Sequence, residues 1–537
     1  MPVKLSETPP AGYRLSSDQA LERAAVLREV RDVLATHRRA APYVYLLGHE
    51  RWQVDWQLPS GRLLAEVVLS GGSGRVLERW SGIQAEWTMA RGTPGAFGEL
   101  ADSVYVWLPL CLLFLAPFVN WRRPLSLLHL DLLALLSFCL SFAFFEHGVI
   151  SLSVPLSYPP LIYLLARMLT LALKRPSIGA QPLQLRLRTR WLAIGVVVIA
   201  TFRIALNVTD GNVIDVGYAG VVGAARILHG ERMYGGYPSL VEHGDTYGPF
   251  NYEAYVPFEV VFGWSGTWDS LPAAHAASIA FDLLALLCIF LIGLRIRGPT
   301  LGVALAWAWV TYPFTLIALN SDSNDALLAA MVLAALLAAS SPPRRGALTA
   351  LAGLTKIAPF ALAPLLASDL LARARSTSHR LKALAGFALG FAIAAAASFA
   401  PALAHDSLGF IWRRTVIYQS TRTAPFSLWG LYHLSSAKLV IEGFAAALAL
   451  ALAVLPRRPG IPALAAACAA VIIALQLGLE YWFYLYIPWF FPLVAIALLA
   501  GLQARSPPTS RRCEDAHGAK GSSATSPLSE SAVAGAA

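Results

Sequence analysis

Apolar runs recur along this chain from Val104 to Leu502, separated by short clusters of Lys and Arg. Such a chain has few ways to fold. In hydrocarbon every backbone N–H and C=O must find a partner within the protein, and for apolar segments of this kind that means helices. The segments fall near residues 104–119, 128–145, 157–173, 191–206, 271–294, 299–319, 324–341, 346–355, 357–368, 383–402, 436–455, 460–479 and 482–502. A full span takes about 20 residues, so some are short, but together they predict an all-α polytopic membrane protein with about thirteen transmembrane helices. Composition agrees. Hydrophobic residues make up 56% of the chain and charged residues 14%, against roughly 25% charged in soluble domains. Mean hydropathy is +0.56.

The formal net charge of +10 does not point to nucleic acid. The basic residues form clusters between apolar runs, at Arg122–Arg123, residues 174–190, Arg295–Arg297, Arg344–Arg345, residues 373–382, Arg457–Arg458 and residues 505–512. That is the positive-inside pattern. The cysteines, Cys111, Cys139, Cys288, Cys468 and Cys513, have no metal-ligand spacing and read as small buried hydrophobes or, for Cys513, as part of the tail. The first hundred residues lack the apolar core of a secretory signal peptide.

Four regions are legible: residues 1–100 as a small α+β module, 101–190 as accessory helices, 191–504 as the main membrane domain, and 505–537 as a disordered tail rich in Ser, Ala, Gly and Pro. In the module, residues 16–38 carry a helical pattern opened by a Ser-Ser-Asp cap. Strand-like runs follow at residues 52–58, 63–69 and 75–80, with Pro-Ser-Gly and Ser-Gly-Gly-Ser-Gly turns between them. The segments W-Q-V-D-W, G-R-L-L-A-E-V-V-L and S-G-R-V-L-E-R-W resemble a PepSY-type domain, which implies a regulatory or binding module.

Placing the basic clusters on the cytoplasmic side puts four polar segments on the outer face: residues 207–269, residues 320–325, Lys356 and residues 405–433. The first three apolar segments leave the module's own side open between two arrangements. The 207–269 stretch, rich in Asp, Tyr, Gly and Pro, is long for a loop without a task. Asp210 and Asp215 lie near its start, with Tyr218 three residues after the second. V-G-Y-A-G-V-V-G-A-A-R reads as a short helix opened by Asp215, lying on the membrane. A carboxylate at that boundary is partly desolvated and more basic, as a general base requires.

The stretch D-V-G-Y-A-G-V-V-G-A-A-R-I-L-H-G-E-R-M-Y is followed by D-T-Y-G-P-F-N-Y-E-A-Y-V-P-F, N-S-D-S-N-D-A-L, G-L-T-K-I-A-P and Q-S-T-R-T-A-P-F-S-L-W-G. In this order, over residues 191–502, they resemble the GT-C superfamily of integral-membrane glycosyltransferases. Within it they resemble particularly the bacterial polyprenyl-phosphate-sugar-dependent group of family 87, which includes mannosyltransferases. The resemblance implies inverting transfer of a mannose-like sugar from a polyprenyl-phosphate donor to a glycan or lipid acceptor, on the outer face of a bacterial inner membrane. It makes the first-loop Asp the catalytic base. Asp215 matches that position best, with Asp210 as the alternative. No metal is implied as cofactor.

Around that base we expect substrate contacts from Tyr218, Asp245, Tyr247, Asn320, Asp322, Asn324 and Asp325. The donor phosphate calls for cations, and Lys356, Arg422, Arg413 and Arg414 are candidates. Each has a plainer reading: turn residues, helix caps, or side chains reaching the interface. Asp131 and Asp282, in mid-span, are expected to pair within the bundle. The aromatic run Tyr481–Tyr486 reads first as an interfacial belt. The rival functions are a transporter or flippase for a lipid-linked sugar, and an inactive relative acting as a sensor.

Overall fold

The computed structural model describes residues 2–92, 94–122, 124–173, 183–185, 187–456, 459–500 and 502–503. Arg123, most of the 174–190 basic cluster, Arg457–Arg458, Cys513 and the tail lie outside the described residues.

The N-terminal module has two helices and an antiparallel meander. Helix α1 (Ser17–Ala25) starts at a capping box in which Ser16 and Gln19 cap each other's backbone. Helix α2 (Arg28–Thr36) follows, so the single helix expected over residues 16–38 is broken at Val26 and Leu27. Strands β1 (Ala41–Leu47), β2 (Arg51–Gln57), β3 (Leu63–Ser70) and β4 (Val76–Ser81) pair in chain order. The last three match the expected runs. Edge strand β1 was not anticipated, because Pro42 weakens its strand signal; Pro is tolerated on an edge. Trp52, Val54 and Trp56 bury one face of the sheet against α1 and α2.

Helices α3 (Ile83–Glu86), α4 (Val104–Leu115), α5 (Leu127–Glu146), α6 (Ile150–Leu173) and α7 (Thr189–Asp210) lead into the bundle. After them come α8 (Asp215–His229), α9 (Pro249–Glu253), α10 (Val256–Phe262), α11 (Pro272–Arg297), α12 (Pro299–Thr311), α13 (Pro313–Asn320), α14 (Asp325–Leu337), α15 (Pro342–Thr355), α16 (Ala363–Arg373) and α17 (Thr377–Leu403). The chain finishes through the short α18 (Leu408–Trp412), α19 (Tyr418–Thr421) and α20 (Leu428–Leu431), then α21 (Ser435–Val454), α22 (Ile461–Gly478) and α23 (Ile487–Leu499). Seven of the described helices are long and apolar enough to cross a membrane, eight if the bent pair α12–α13 is one span. The expected thirteen are not reached by length, because several apolar segments, such as α4 and α14, are only 12 and 13 residues long.

Polar contacts fix which helix ends share a face. Leu100 and Ala101 donate backbone N–H groups to Asp210 at the end of α7. Gln84 of α3 donates to the carbonyl of Gly148, between α5 and α6, at 3.2 Å. His275, near the start of α11, lies 3.1 Å from Asn207 in the last turn of α7. The module therefore sits at the same end of the bundle as residues 207–269. Helix α6 runs its full 24 residues away from that end, carrying Pro155, Pro159 and Pro160 within it. Of the two arrangements left open by the sequence, α6 has the length and composition that the full-span arrangement requires. The 320–325 turn, Lys356 and the 405–433 segment reach the same end.

Buried charge holds the bend. Pro313 has no N–H to give the carbonyl of Trp309, and α12 and α13 meet at 61°. The fully buried Arg203 of α7 fills this gap. Its Nη1 donates to Trp309 O at 3.0 Å and its Nη2 to Thr315 O at 3.0 Å. The same Nη2 pairs with Asp282 at 2.7 Å. Asp131 pairs likewise with Arg167 at 3.0 Å and accepts from Tyr163 at 2.7 Å. Arg203→Met leaves Asp282 buried without its cation and removes a donor from the carbonyls of Trp309 and Thr315, so we expect a loss of about 3–5 kcal/mol. Thermal unfolding in detergent reads it; Arg203→Met/Asp282→Leu should recover part of the loss, and an unchanged melting temperature for Arg203→Met would remove Arg203 from this role.

Candidate functional site

The site is assembled on a buried polar turn. Residues 320–325 join α13 to α14, and all six side chains are fully buried. Asp322 adopts φ +51°, an uncommon backbone for a non-glycine residue. It is held by its surroundings: Asn207 Nδ2 donates to Asp322 Oδ1 at 2.8 Å and to Leu319 O at 2.8 Å. His275 Nδ1 approaches Asp322 Oδ2 at 3.0 Å, but the geometry of a hydrogen bond is met only toward Asn207.

The turn in turn places Asp215. Beyond α7, Asn212 N donates to Asn320 O at 2.9 Å and Ile214 N to Ser321 O at 3.1 Å. Helix α8 then opens with Asp215 as its first residue, and Asp215 Oδ1 accepts from Val216 N at 3.0 Å. Gly217 lets α8 sit directly on the turn, since a Cβ there would lie 2.5 Å from the Asp322 carbonyl oxygen. Gly220 does the same against the ring of Tyr255.

Two cations act electrostatically on Asp215. Lys356, just past α15, reaches Asp325 of α14 at 2.5 Å. Trp489 Nε1 donates to the same Asp325 oxygen at 2.6 Å. The Lys356 ammonium sits 5.6, 5.3 and 5.1 Å from the ring centres of Tyr247, Tyr486 and Trp489, an aromatic cage. Arg422, between α19 and α20, lies with its guanidinium 3.7 Å from the ring centre of Tyr481. It makes no salt bridge among the described residues, which leaves its charge available to a ligand.

Asp215 is exposed to solvent yet closely ringed by protein. The two facts together describe the floor of an open recess. Desolvation there raises its pKa above the ordinary Asp value, while the charges of Arg422 and, more weakly, Lys356 oppose the rise. Among the described residues no three His, Cys, Asp or Glu side chains gather into a metal-holding group.

The remaining candidates divide. Tyr247 joins the recess through the Lys356 cage, as does Asp325. Asp210 is committed elsewhere, its carboxylate accepting from Leu100 N and Ala101 N, both at 2.9 Å. Tyr218 is buried and stacks on Trp268 with ring centres 4.8 Å apart. Asp245 is fully buried and clamped by Arg414 Nε at 2.6 Å and Gly235 N at 2.6 Å. That ion pair occupies Arg414 as well. Arg413 is exposed against the ring of Phe410, apart from the Lys356 cage. Asn324 donates to Asn251 at 2.5 Å, and Asn320 and Asp322 are buried in the turn. Sequence reasoning missed Trp489, which looked like part of an apolar span. Its spacing of three from Tyr486, placing both on one helix face, was the available signal.

Residues 246–504 match the model of glycosyltransferase family 87. No curated protein matches the chain. The family match covers just under half of the chain and includes Tyr247, Asp325, Lys356, Arg422, Tyr481, Tyr486 and Trp489. It begins after Asp210 and Asp215, and the place of Asp215 at the site rests on geometry. The match supports a GT-C-like glycosyltransferase that works on sugar donor and acceptor substrates, in a helical protein with the features of a multi-pass membrane protein.

Proposed function

We propose that the chain is an inverting glycosyltransferase that moves a mannose-like sugar from a polyprenyl-phosphate donor to a cell-envelope glycan or lipid, on the outer face of a bacterial membrane. The observation that carries this reading is one recess shared by a single raised-pKa carboxylate and two cations. Asp215 accepts the proton of the acceptor hydroxyl as the acceptor oxygen bonds the anomeric carbon. The bond from that carbon to the phosphate oxygen breaks on the opposite face. The leaving polyprenyl phosphate gains negative charge, which Arg422 meets with a planar fork suited to phosphate oxygens. Lys356, already steadied by Asp325, adds charge from within its cage. Tyr247 borders the same space and suits a sugar contact.

The basic residues near the far helix ends, Arg295, Arg297, Arg344 and residues 373–382, favour the outward orientation of this face. The N-terminal meander and its helices suit a PepSY-like regulatory module. A transporter reading draws on the broken span α12–α13 and the Arg203–Asp282 pair. Both residues are sealed in the bundle, at 0% and 4% exposure, and their hydrogen bonds are used within the break. The family match favours transfer chemistry instead.

The test is transfer of radiolabelled mannose from polyprenyl-phosphate-mannose in membranes bearing the full chain. Asp215→Asn should lower the rate at least about 100-fold, as expected for loss of a general base. Asp210→Asn should retain transfer, with lower stability. Loss confined to Asp210→Asn would overturn the assignment of the base, and no transfer by the wild type across several donors would overturn the enzyme reading.

The pH dependence has a definite sign. Only the ionised Asp215 accepts a proton, so kcat/KM falls as pH drops through its pKa. Desolvation places that acid limb above the ordinary Asp range near 4. Arg422 is the strongest charge lowering the value, so Arg422→Gln should move the limb to higher pH. A limb unmoved by Arg422→Gln would show that the two groups do not interact in the working enzyme.

A further inference from the structure

The recess is not built by the membrane helices alone. The segment leaving the N-terminal module packs on bundle residues at this end. There the half-buried Trp87 packs on Phe426 at 5.7 Å and 82°, and on Tyr481 at 6.5 Å and 52°. Met89 receives the hydroxyl of Tyr481, with oxygen to sulfur at 3.8 Å. Phe426 meets Tyr481 edge-on at 5.7 Å. Tyr481 is the ring on which Arg422 rests at 3.7 Å. Three groups besides Arg422 therefore pack on or bond Tyr481, and two of them come from the module's connector.

The connector is tied at both ends. Arg91 forms a two-pronged pair with Glu66 of β3, at 2.9 and 2.9 Å, and its Nε holds the carbonyl of Gln84 at 2.8 Å. Gln84 holds Gly148 of the bundle. A shift of the sheet relative to the bundle would be passed through Arg91 to Trp87 and Met89, and so to the ring beneath Arg422.

We propose that Trp87 and Met89 are positioning residues for Arg422, so that the N-terminal module sets how well the recess binds a lipid-linked phosphate. This rests on the reading of Arg422 as a phosphate ligand. An aromatic ring under a guanidinium restricts the plane of the fork, and a bidentate grip on phosphate depends on that plane. Neither Trp87 nor Met89 touches the phosphate itself.

A double-mutant cycle on the full chain in phosphatidylcholine nanodiscs tests it, with undecaprenyl phosphate as the probe and thermal melting as the check on folding. Arg422→Ala should weaken binding about tenfold, and Trp87→Ala about fivefold. In the Arg422→Ala background, Trp87→Ala should have no further effect, because the group it positions is gone. Trp87→Phe keeps an aromatic edge on Tyr481 and should bind like wild type. If Trp87→Ala does not fold, Met89→Ala carries the cycle with the same expectation. Equal losses in both backgrounds would mark Trp87 as merely structural and overturn the proposal. So would wild-type binding by Trp87→Ala or Met89→Ala while Arg422→Ala is impaired. Unimpaired binding by Arg422→Ala would instead overturn the phosphate reading of Arg422, and this inference with it.

Discussion

The pairing of residues 212–214 with the 320–321 carbonyls is the constraint on which the rest of the site depends. It joins the end of α7 to the start of α8 across the buried turn between α13 and α14. Without it Asp215 would be one acid among several in a long polar loop. With it, Asp215 is set against the same turn that carries Asp325, and through Asp325 against Lys356. The turn is costly to bury: Asp322 has a left-handed backbone and six consecutive side chains are out of solvent. Such a turn persists only where surrounding hydrogen bonds over-determine it, and Asn207 and Ser278 donate to its preceding carbonyl, that of Leu319.

Its charges are arranged by how far each is neutralised. Asp245 with Arg414 and Asp282 with Arg203 are closed ion pairs that serve the fold. Lys356 with Asp325 is intermediate, an ammonium held in place by a carboxylate and faced by three rings. Arg422 and Asp215 remain most open to a ligand. In a partly desolvated recess, unneutralised charge acts more strongly than it does in water. That gradation separates the groups suited to chemistry from those that only shape the loop, and residue type alone does not show it.

Much of this was legible in the chain. The helical membrane class follows from the apolar runs, and the gathering of polar segments at one end follows from the basic clusters between them. Asp215 at a helix start, with Gly217 and Gly220 on the packed face, is a local pattern and can be read locally. What could not be read was long-range. Asp245 and Arg414 are 169 residues apart, and nothing near either announces the other. Asp210 looked equivalent to Asp215 until the backbone of Leu100 and Ala101, 110 and 109 residues away, met its carboxylate. Helix α1–α2 breaks without a Gly or Pro at Val26–Leu27, and α6 continues through three prolines. In both cases tertiary packing overrides the local signal.

The most direct test of a shared recess is to see a ligand in it. A cryo-electron-microscopy structure with a polyprenyl phosphate bound should place the phosphate within hydrogen-bond reach of Arg422 and close to Lys356, with Asp215 facing it across the space left for the sugar. A phosphate bound instead at Arg413, or at the opposite end of the bundle near Arg295, would contradict the account.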